Sequence, residues 1–127
     1  PFVKQTIKLL KKRGIKTAIV TSGLRDRLYK SISIKFLQEF NVIVTGDDTK
    51  IGKPSKMPFV KAMSKIGIKN KNCLVVENAP LGITAAKNAG IFCIALESTL
   101  NKRFLKEADL VLPSFNEFYK FAKKNIL

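Results

Sequence analysis

A carboxylate and an amide follow one apolar run of this chain, where together they can bind a cation. Glu77 and Asn78 come directly after residues 73–76, whose apolar and β-branched side chains predict a buried strand. Pro80 then suits the first turn of a helix, where a missing backbone N–H is tolerated. Open parallel sheets bind ligands at the carboxyl ends of their strands, and hard oxygen ligands suit Mg²⁺. The stretch predicts a magnesium site at Glu77 and Asn78; the alternative is a strand–helix turn with an exposed glutamate.

Hydroxyl groups follow a second apolar run, at residues 15–20. Thr21, Ser22 and Gly23 stand between this predicted strand and a helical pattern. Their hydroxyl and backbone N–H groups, next to a helix N-terminus, can cradle an anion. The alternative for Thr21 is an ordinary turn at the end of a strand.

A single lysine is held in a stiff loop. Lys53 lies between Gly52 and Pro54, so its ammonium can be aimed at one point. Phosphate, Mg²⁺ and lysine complement one another in charge, and the combination is consistent with phosphoryl transfer. The alternative is that Lys53 is one more surface lysine.

Apolar periodicity along the chain predicts alternating strands and helices. Gly14 and Gly67 are placed to end helices, and Ser114 with Glu117 has the spacing of a capping box. This order predicts an α/β fold of one domain, residues 1–127, with a parallel sheet covered by helices on both faces. The predicted strands are 15–20, 42–44, 73–76, 92–96 and 110–112; the predicted helices are 2–13, from 24 onward, about 58–66, from 80 onward, and from 115 onward.

The charge of the chain does not by itself define a partner. Lys and Arg number 24 against 9 Asp and Glu, a formal net charge of +15. The lysines are scattered over every polar helix face, and no aromatic-basic interleaving or nucleic-acid module is present. A solvated surface is therefore favoured over nucleic-acid binding. No apolar run approaches 18 residues, so no membrane span is predicted, and the sequence leaves the oligomeric state open.

The cysteine and histidine content excludes several kinds of site. The chain has two cysteines, Cys73 and Cys93, no CxxC pair and no histidine. This composition argues against a zinc site, and without histidine the chain can form no Ser–His or Cys–His triad. Two reduced, buried cysteines and a cytoplasmic location are expected.

Taken in order, these motifs resemble three of the four signature motifs of the haloacid dehalogenase superfamily. Residues 45–48 and 108–111 resemble its phosphatase and β-phosphoglucomutase branch. The resemblance implies a three-layer Rossmann-like fold and Mg²⁺-dependent transfer of a phosphoryl group through an aspartyl-phosphate. The three motifs are Thr21 after an apolar strand, Gly52-Lys53-Pro54, and residues 75–82 together with 85–90.

The same resemblance assigns roles to single residues. Thr21, with Ser22 and Gly23 beside it, would bind the phosphoryl group of a small phosphorylated metabolite. Lys53 would neutralise the charge on that group and on the nucleophile. Glu77 and Asn78 would hold Mg²⁺.

The chain departs from the family pattern in two ways. Many members carry Asp at the position of Asn78. The first motif, a strand ending in two Asp residues two positions apart, is absent: Asp26 lies in a helical pattern, and Asp47 and Asp48 are adjacent in what is predicted to be a turn rather than a cation site.

We therefore expect a carboxyl-terminal part of a longer protein, with the central nucleophile strand and the cap missing and with no activity on its own. A non-catalytic relative that binds phosphate or a protein is the alternative function. A basic nucleic-acid-binding module is a third, supported by net charge alone.

Overall fold

The computed structural model describes residues 2–98 and 100–126, which alternate between parallel strands and helices in three layers. Strands β1 to β5 cover Ala18–Val20, Val42–Val44, Leu74–Glu77, Phe92–Leu96 and Leu110–Leu112. Helices α1 to α6 cover Phe2–Lys12, Arg25–Ser31, Ile34–Leu37, Met57–Ile66, Pro80–Asn88 and Phe115–Asn125. None of the helices in the described residues is long and apolar enough to cross a bilayer.

Helices cover both faces of the strands, as the sequence predicts. On one face Val75, Cys93 and Ala95 pack against α5 and Phe59 of α4. On the other face Ile94 and Leu96 pack against α6, and α1 lies beside α6. The buried face of α5 combines the large side chain of Ile83 with the small residues Gly82, Ala85 and Ala86, and the small residues let the helix lie close on the strands. Ala89, at the C-cap, is also buried. The α/β, Rossmann-like fold class is confirmed.

Three local predictions need correction. The predicted strand 15–20 is paired only from Ala18, because β2 begins at its partner Val42. The predicted helix from residue 24 is broken at Ile32, which is extended, and Ser33 starts α3 by accepting the Phe36 N–H at 3.2 Å. Cys73 lies outside β3 and is half-buried rather than buried.

Glycine and serine set helix ends where the sequence places them. Gly67 ends α4 in the left-handed region at φ 79°, and its N–H donates to the Met63 carbonyl. Gly14, at φ 73°, follows α1 in the same way. Ser114 caps α6 by accepting the Glu117 N–H at 3.3 Å.

The strands form two separate parallel sheets. β1 pairs with β2, and β4 lies between β3 and β5. The Thr21 N–H donates to the Val44 carbonyl, so the backbone groups of Thr21 face β2. Successive residues of a parallel strand direct their backbone groups to opposite edges, so those of Val20 face away from β2. By the same alternation Val76, the partner of Ile94, turns its backbone groups away from β4. Among the described residues no ladder joins these two free edges.

Hydrogen exchange tests this arrangement. We expect the backbone N–H groups of Val20 and Val76 to exchange roughly tenfold or more faster than that of Ile19, which faces β2, because ladder hydrogen bonds protect amides. Amide exchange followed by NMR measures each rate. Equal protection of Val20 and Ile19 would show that β1 is paired on both edges.

Candidate active site

One lysine ammonium links the ends of the two sheets. Lys53 Nζ donates to the Val20 carbonyl at 2.9 Å and to Glu77 Oε2 at 2.7 Å. The two charged side chains are only 13% and 12% exposed, and the ammonium lies 5.3 Å from the centre of the Phe59 ring. Such charge-assisted bonds are stronger than neutral ones in a poorly hydrated site. The structure thus brings Lys53, Glu77 and the residue before Thr21 to one point.

The loop that carries Lys53 is tied down at its next residue. Asn88 Nδ2 donates to the Pro54 carbonyl at 3.2 Å, which joins this loop to the end of α5. The sequence does not predict this contact, because a helical asparagine 34 residues from its partner carries no local signal of it.

A glycine makes room for the glutamate. A Cβ built on Gly82 would lie 2.0 Å from Glu77 Oε2 and 2.1 Å from its Cδ. Atoms cannot approach so closely, so the Glu77 side chain would have to move from this position if residue 82 carried a side chain. Gly82 therefore lies on the buried face of α5 and also accommodates the carboxylate.

Asn78 adds further oxygen and nitrogen groups to this end of β3. Its backbone N–H donates to Glu77 Oε1 at 3.1 Å, and its Nδ2 lies 3.4 Å from Ser98 Oγ. Mg²⁺ sites commonly use one or two carboxylates together with waters and substrate phosphates. A carboxylate and an amide oxygen fit such a site in part. In the described residues no group of three His, Cys, Asp or Glu side chains is assembled for a metal ion.

The loop after β1 is folded on itself. The Gly23 N–H donates to Thr21 Oγ1 at 3.1 Å, so the Thr21 hydroxyl keeps its own proton to donate. A Cβ on Gly52 would lie 3.6 Å from Ser22 Oγ, which places this loop beside the residue preceding Lys53. The predicted anion-binding loop of Thr21, Ser22 and Gly23 therefore lies beside the loop that carries Lys53. The Gly23 N–H is already bonded to Thr21 within its own loop.

The turn after β2 binds the loop after β1 through groups that sequence reasoning missed. Asp48 accepts from Arg25 Nη2 at 2.9 Å and from Thr45 N–H at 2.7 Å, and the Arg25 N–H donates to Asp47 Oδ1 at 2.9 Å. These bonds support the turn interpretation of Asp47 and Asp48. No spacing pattern relates Arg25 to residues more than twenty positions away. The Thr45 N–H lowers the pKa of Asp48 to about 2, assisted by the Thr45 hydroxyl and Arg25.

A double variant tests the role of Gly82. Gly82→Ala should destabilise the protein by about 1–3 kcal/mol, because the new methyl group separates Glu77 from Lys53. In a Glu77→Ala background the same change should be neutral or stabilising by up to about 1 kcal/mol, since alanine favours a helix over glycine. Urea unfolding of the four proteins gives both values. Equal effects in the two backgrounds would contradict the contact.

Acid should weaken the protein through Asp48. Its folded pKa of about 2 lies below its ordinary value of 3.8. Its contribution is therefore complete above about pH 4 and is lost as the pH falls toward 2. Urea midpoints at pH 5 and near pH 2.5 should differ less in Asp48→Asn than in the unaltered chain. Asp26→Asn, which removes an exposed carboxylate from α2, is the control. An unchanged acid response in Asp48→Asn would remove Asp48 from this role.

Comparison with known proteins places the chain in a family. The sequence model of the haloacid dehalogenase-like hydrolases matches residues 1–96. Validoxylamine A 7'-phosphate phosphatase of Streptomyces hygroscopicus is 37% identical over 109 residues, which cover 85% of this chain and 51% of that protein. The chain thus spans about half the length of this curated relative.

Solved structures agree in fold. A Thermotoga maritima protein assigned as a β-phosphoglucomutase matches 98% of this chain and 60% of its own, with a TM-score of 0.87 and 25% identity. CbbY of Rhodobacter sphaeroides, solved with phosphate, matches 93% of this chain and 55% of its own, with a TM-score of 0.82 and 25% identity. With Lys53, Glu77 and the Thr21 loop at one end of parallel strands, these matches show that the chain belongs to the haloacid dehalogenase-like hydrolase family.

Proposed function

We propose that the whole protein carries out Mg²⁺-dependent phosphoryl transfer on a small phosphorylated metabolite, as a phosphatase or phosphomutase of the cytoplasm. The observation that carries the proposal is the Lys53 ammonium, which bonds at once to the end of β1 and to Glu77. The relatives support the substrate class, since one is by name a phosphatase of validoxylamine A 7'-phosphate and another was solved with phosphate.

Each residue has a part in this proposal. The Thr21 hydroxyl, with Ser22 beside it, donates to oxygens of the phosphoryl group, and Gly23 holds the loop in shape through its bond to Thr21. Lys53 neutralises negative charge that builds up on the phosphoryl oxygens and on the attacking carboxylate. Glu77 and Asn78 hold Mg²⁺, which supplies further charge neutralisation when bound.

The nucleophile in this proposal is an Asp from a segment beyond the 127 residues. Its strand would pair with the free edges of β1 and β3, where Val20 and Val76 present backbone groups without a ladder partner among the described residues. A strand placed there would bring a carboxylate to the end of the sheet where Lys53 lies.

The reaction then proceeds in two displacements. A carboxylate oxygen of the Asp forms a bond to phosphorus while the bond from phosphorus to the substrate oxygen breaks, and that oxygen takes a proton from a general acid. The oxygen of water, or of a sugar hydroxyl in a mutase, then forms a bond to phosphorus while the bond from phosphorus to the Asp oxygen breaks, and its proton passes to the conjugate base of the general acid. The products are the free carboxylate and either inorganic phosphate or the new phosphate ester. Lys53 stays close to the transferring group in both steps.

A second candidate function has its own support. Lys53 and Glu77 already satisfy each other, and the carboxylates of Asp47 and Asp48 are bonded to Arg25. A non-catalytic relative that binds phosphate or a protein would need no further carboxylate.

The hydrolysis of p-nitrophenyl phosphate with Mg²⁺ separates the two. We expect no turnover from the 127-residue chain, and we expect Mg²⁺-dependent turnover from the full-length protein encoded by its gene. Lys53→Ala should lower kcat/KM of that product by roughly 10²–10³, because charge stabilisation of a transition state is lost.

Lys50→Ala is the matched control, since it removes the same charge from an exposed position of the same loop. It should leave kcat/KM nearly unchanged. An equal loss in both variants, or robust hydrolysis by the short chain that Lys53→Ala does not alter, would overturn the proposed role of Lys53. A full-length protein without turnover would favour the non-catalytic function.

A further inference from the structure

An ion pair between Arg25 and Asp48 joins two loops at the candidate site, and one guanidinium nitrogen bonds to both carboxylate oxygens. Arg25 Nη2 donates to Asp48 Oδ1 at 3.1 Å and to Asp48 Oδ2 at 2.9 Å. Arg25 comes two residues after the loop formed by Thr21, Ser22 and Gly23, and Asp48 ends the turn after β2. The pair therefore spans the two neighbouring loops that follow β1 and β2.

The aspartate of this pair is itself held firmly. Asp48 Oδ2 also accepts the Thr45 N–H at 2.7 Å and the Thr45 hydroxyl at 3.0 Å, and Thr45 is only 1% exposed. Lys61 of α4 donates to the Asp48 carbonyl at 2.6 Å. Asp48 is thus a fixed point to which Arg25 attaches the more exposed loop.

The backbones of the two loops are in direct contact beside this pair. The Gly46 N–H donates to the Gly23 carbonyl at 2.8 Å. A Cβ on Gly46 would lie 2.4 Å from the Ser22 carbonyl oxygen, so the loops meet at a distance that only glycine allows. The position of Ser22 and Gly23 therefore depends on the position of the turn.

We propose that Arg25 and Asp48 are positioning residues that hold the Thr21, Ser22 and Gly23 loop in the form that binds a phosphoryl group. This inference rests on the proposed function, because it takes that loop to be the phosphate site. Neither residue needs to touch the phosphate: the pair fixes the Gly23 carbonyl, and through it the Ser22 backbone and the Thr21 hydroxyl. Small displacements of binding groups weaken a site strongly. In metal sites, loss of the groups that orient the ligands typically lowers affinity or activity about 10–100-fold, and we expect a loss of similar size here.

Titration of the 127-residue chain with inorganic phosphate tests the inference. Binding is followed by the amide shifts of Ser22 and Gly23 in ¹⁵N NMR spectra. We expect Arg25→Ala to weaken phosphate binding about tenfold, at the low end of the effects of lost supporting contacts. Arg25→Lys, which keeps the charge and one donor, should restore part of the affinity.

Arg27→Ala is the matched control, because it removes the same charge from an exposed residue of the same helix. It should change phosphate affinity only slightly. Asp48→Asn, nearly the same shape without the charge, tests the other side of the pair and should weaken binding as Arg25→Ala does. Urea midpoints of all variants, measured at the temperature of the titration, show that each is folded during the measurement.

The outcomes separate this inference from the proposed function. If Thr21→Ala abolishes phosphate binding while Arg25→Ala, Asp48→Asn and Arg27→Ala all bind alike, the loop is the phosphate site but the ion pair does not position it. If the unaltered chain shows no saturable shift of Ser22 and Gly23, both the phosphate site and the positioning role are overturned.

Discussion

The structure depends on one ammonium group that lies between two sheets. Lys53 bonds to a backbone carbonyl of β1 and to the carboxylate that ends β3, and among the described residues no backbone ladder makes that connection. A buried ion pair stabilises only when each charge is well bonded, and removal of one partner leaves the other uncompensated. Here Lys53 also has the Val20 carbonyl and the face of Phe59. The same contacts that join the sheets therefore keep a positive charge at the end of the strands.

Space at this end of the sheet is controlled by glycines as much as by charge. Gly82 lies against the Glu77 side chain, and Gly46 lies against the Ser22 carbonyl. In both cases a missing methyl group lets a polar group of one element reach the backbone of another. On the buried face of α5, Ala85 and Ala86 beside Gly82 likewise keep the helix close to the strands, with Ile83 as a large side chain buried next to them.

The sequence predicts the repeated features well and the single contacts poorly. Apolar periodicity locates every strand, and glycine or serine locates the ends of α1, α4 and α6, because these signals are local. The break at Ile32 is not predicted, since the apolar spacing of a helix continues through it. Arg25 and Asn88 were missed for a different reason: their partners Asp48 and Pro54 are 23 and 34 positions away, and no periodicity relates them.

Thr21, Lys53 and Glu77 were predicted to lie together because each stands at the end of a predicted strand or in the loop beyond it. Strand ends of a parallel sheet lie at one edge, so Lys53 and Glu77 could be placed near each other from order alone. The hydrogen bond from the Gly23 N–H to Thr21 Oγ1 could not be predicted. The same three residues suit both a loop that binds an anion and a turn that bonds to itself. The resemblance to known motifs predicted the role of each side chain, and the structure identified its hydrogen-bond partners.

The separation of the strands into two sheets has a consequence for the motions of the molecule. Between β1 and β3 the halves are joined by side chains and by α4, which contacts β1, β2 and α5, rather than by a continuous ladder. Opening of the β1–β2 half then breaks few backbone hydrogen bonds. Partly open states of this kind have free energies well below that of global unfolding. In the 127-residue chain we therefore expect the β1–β2 half to open at a lower free energy than the β3–β5 half.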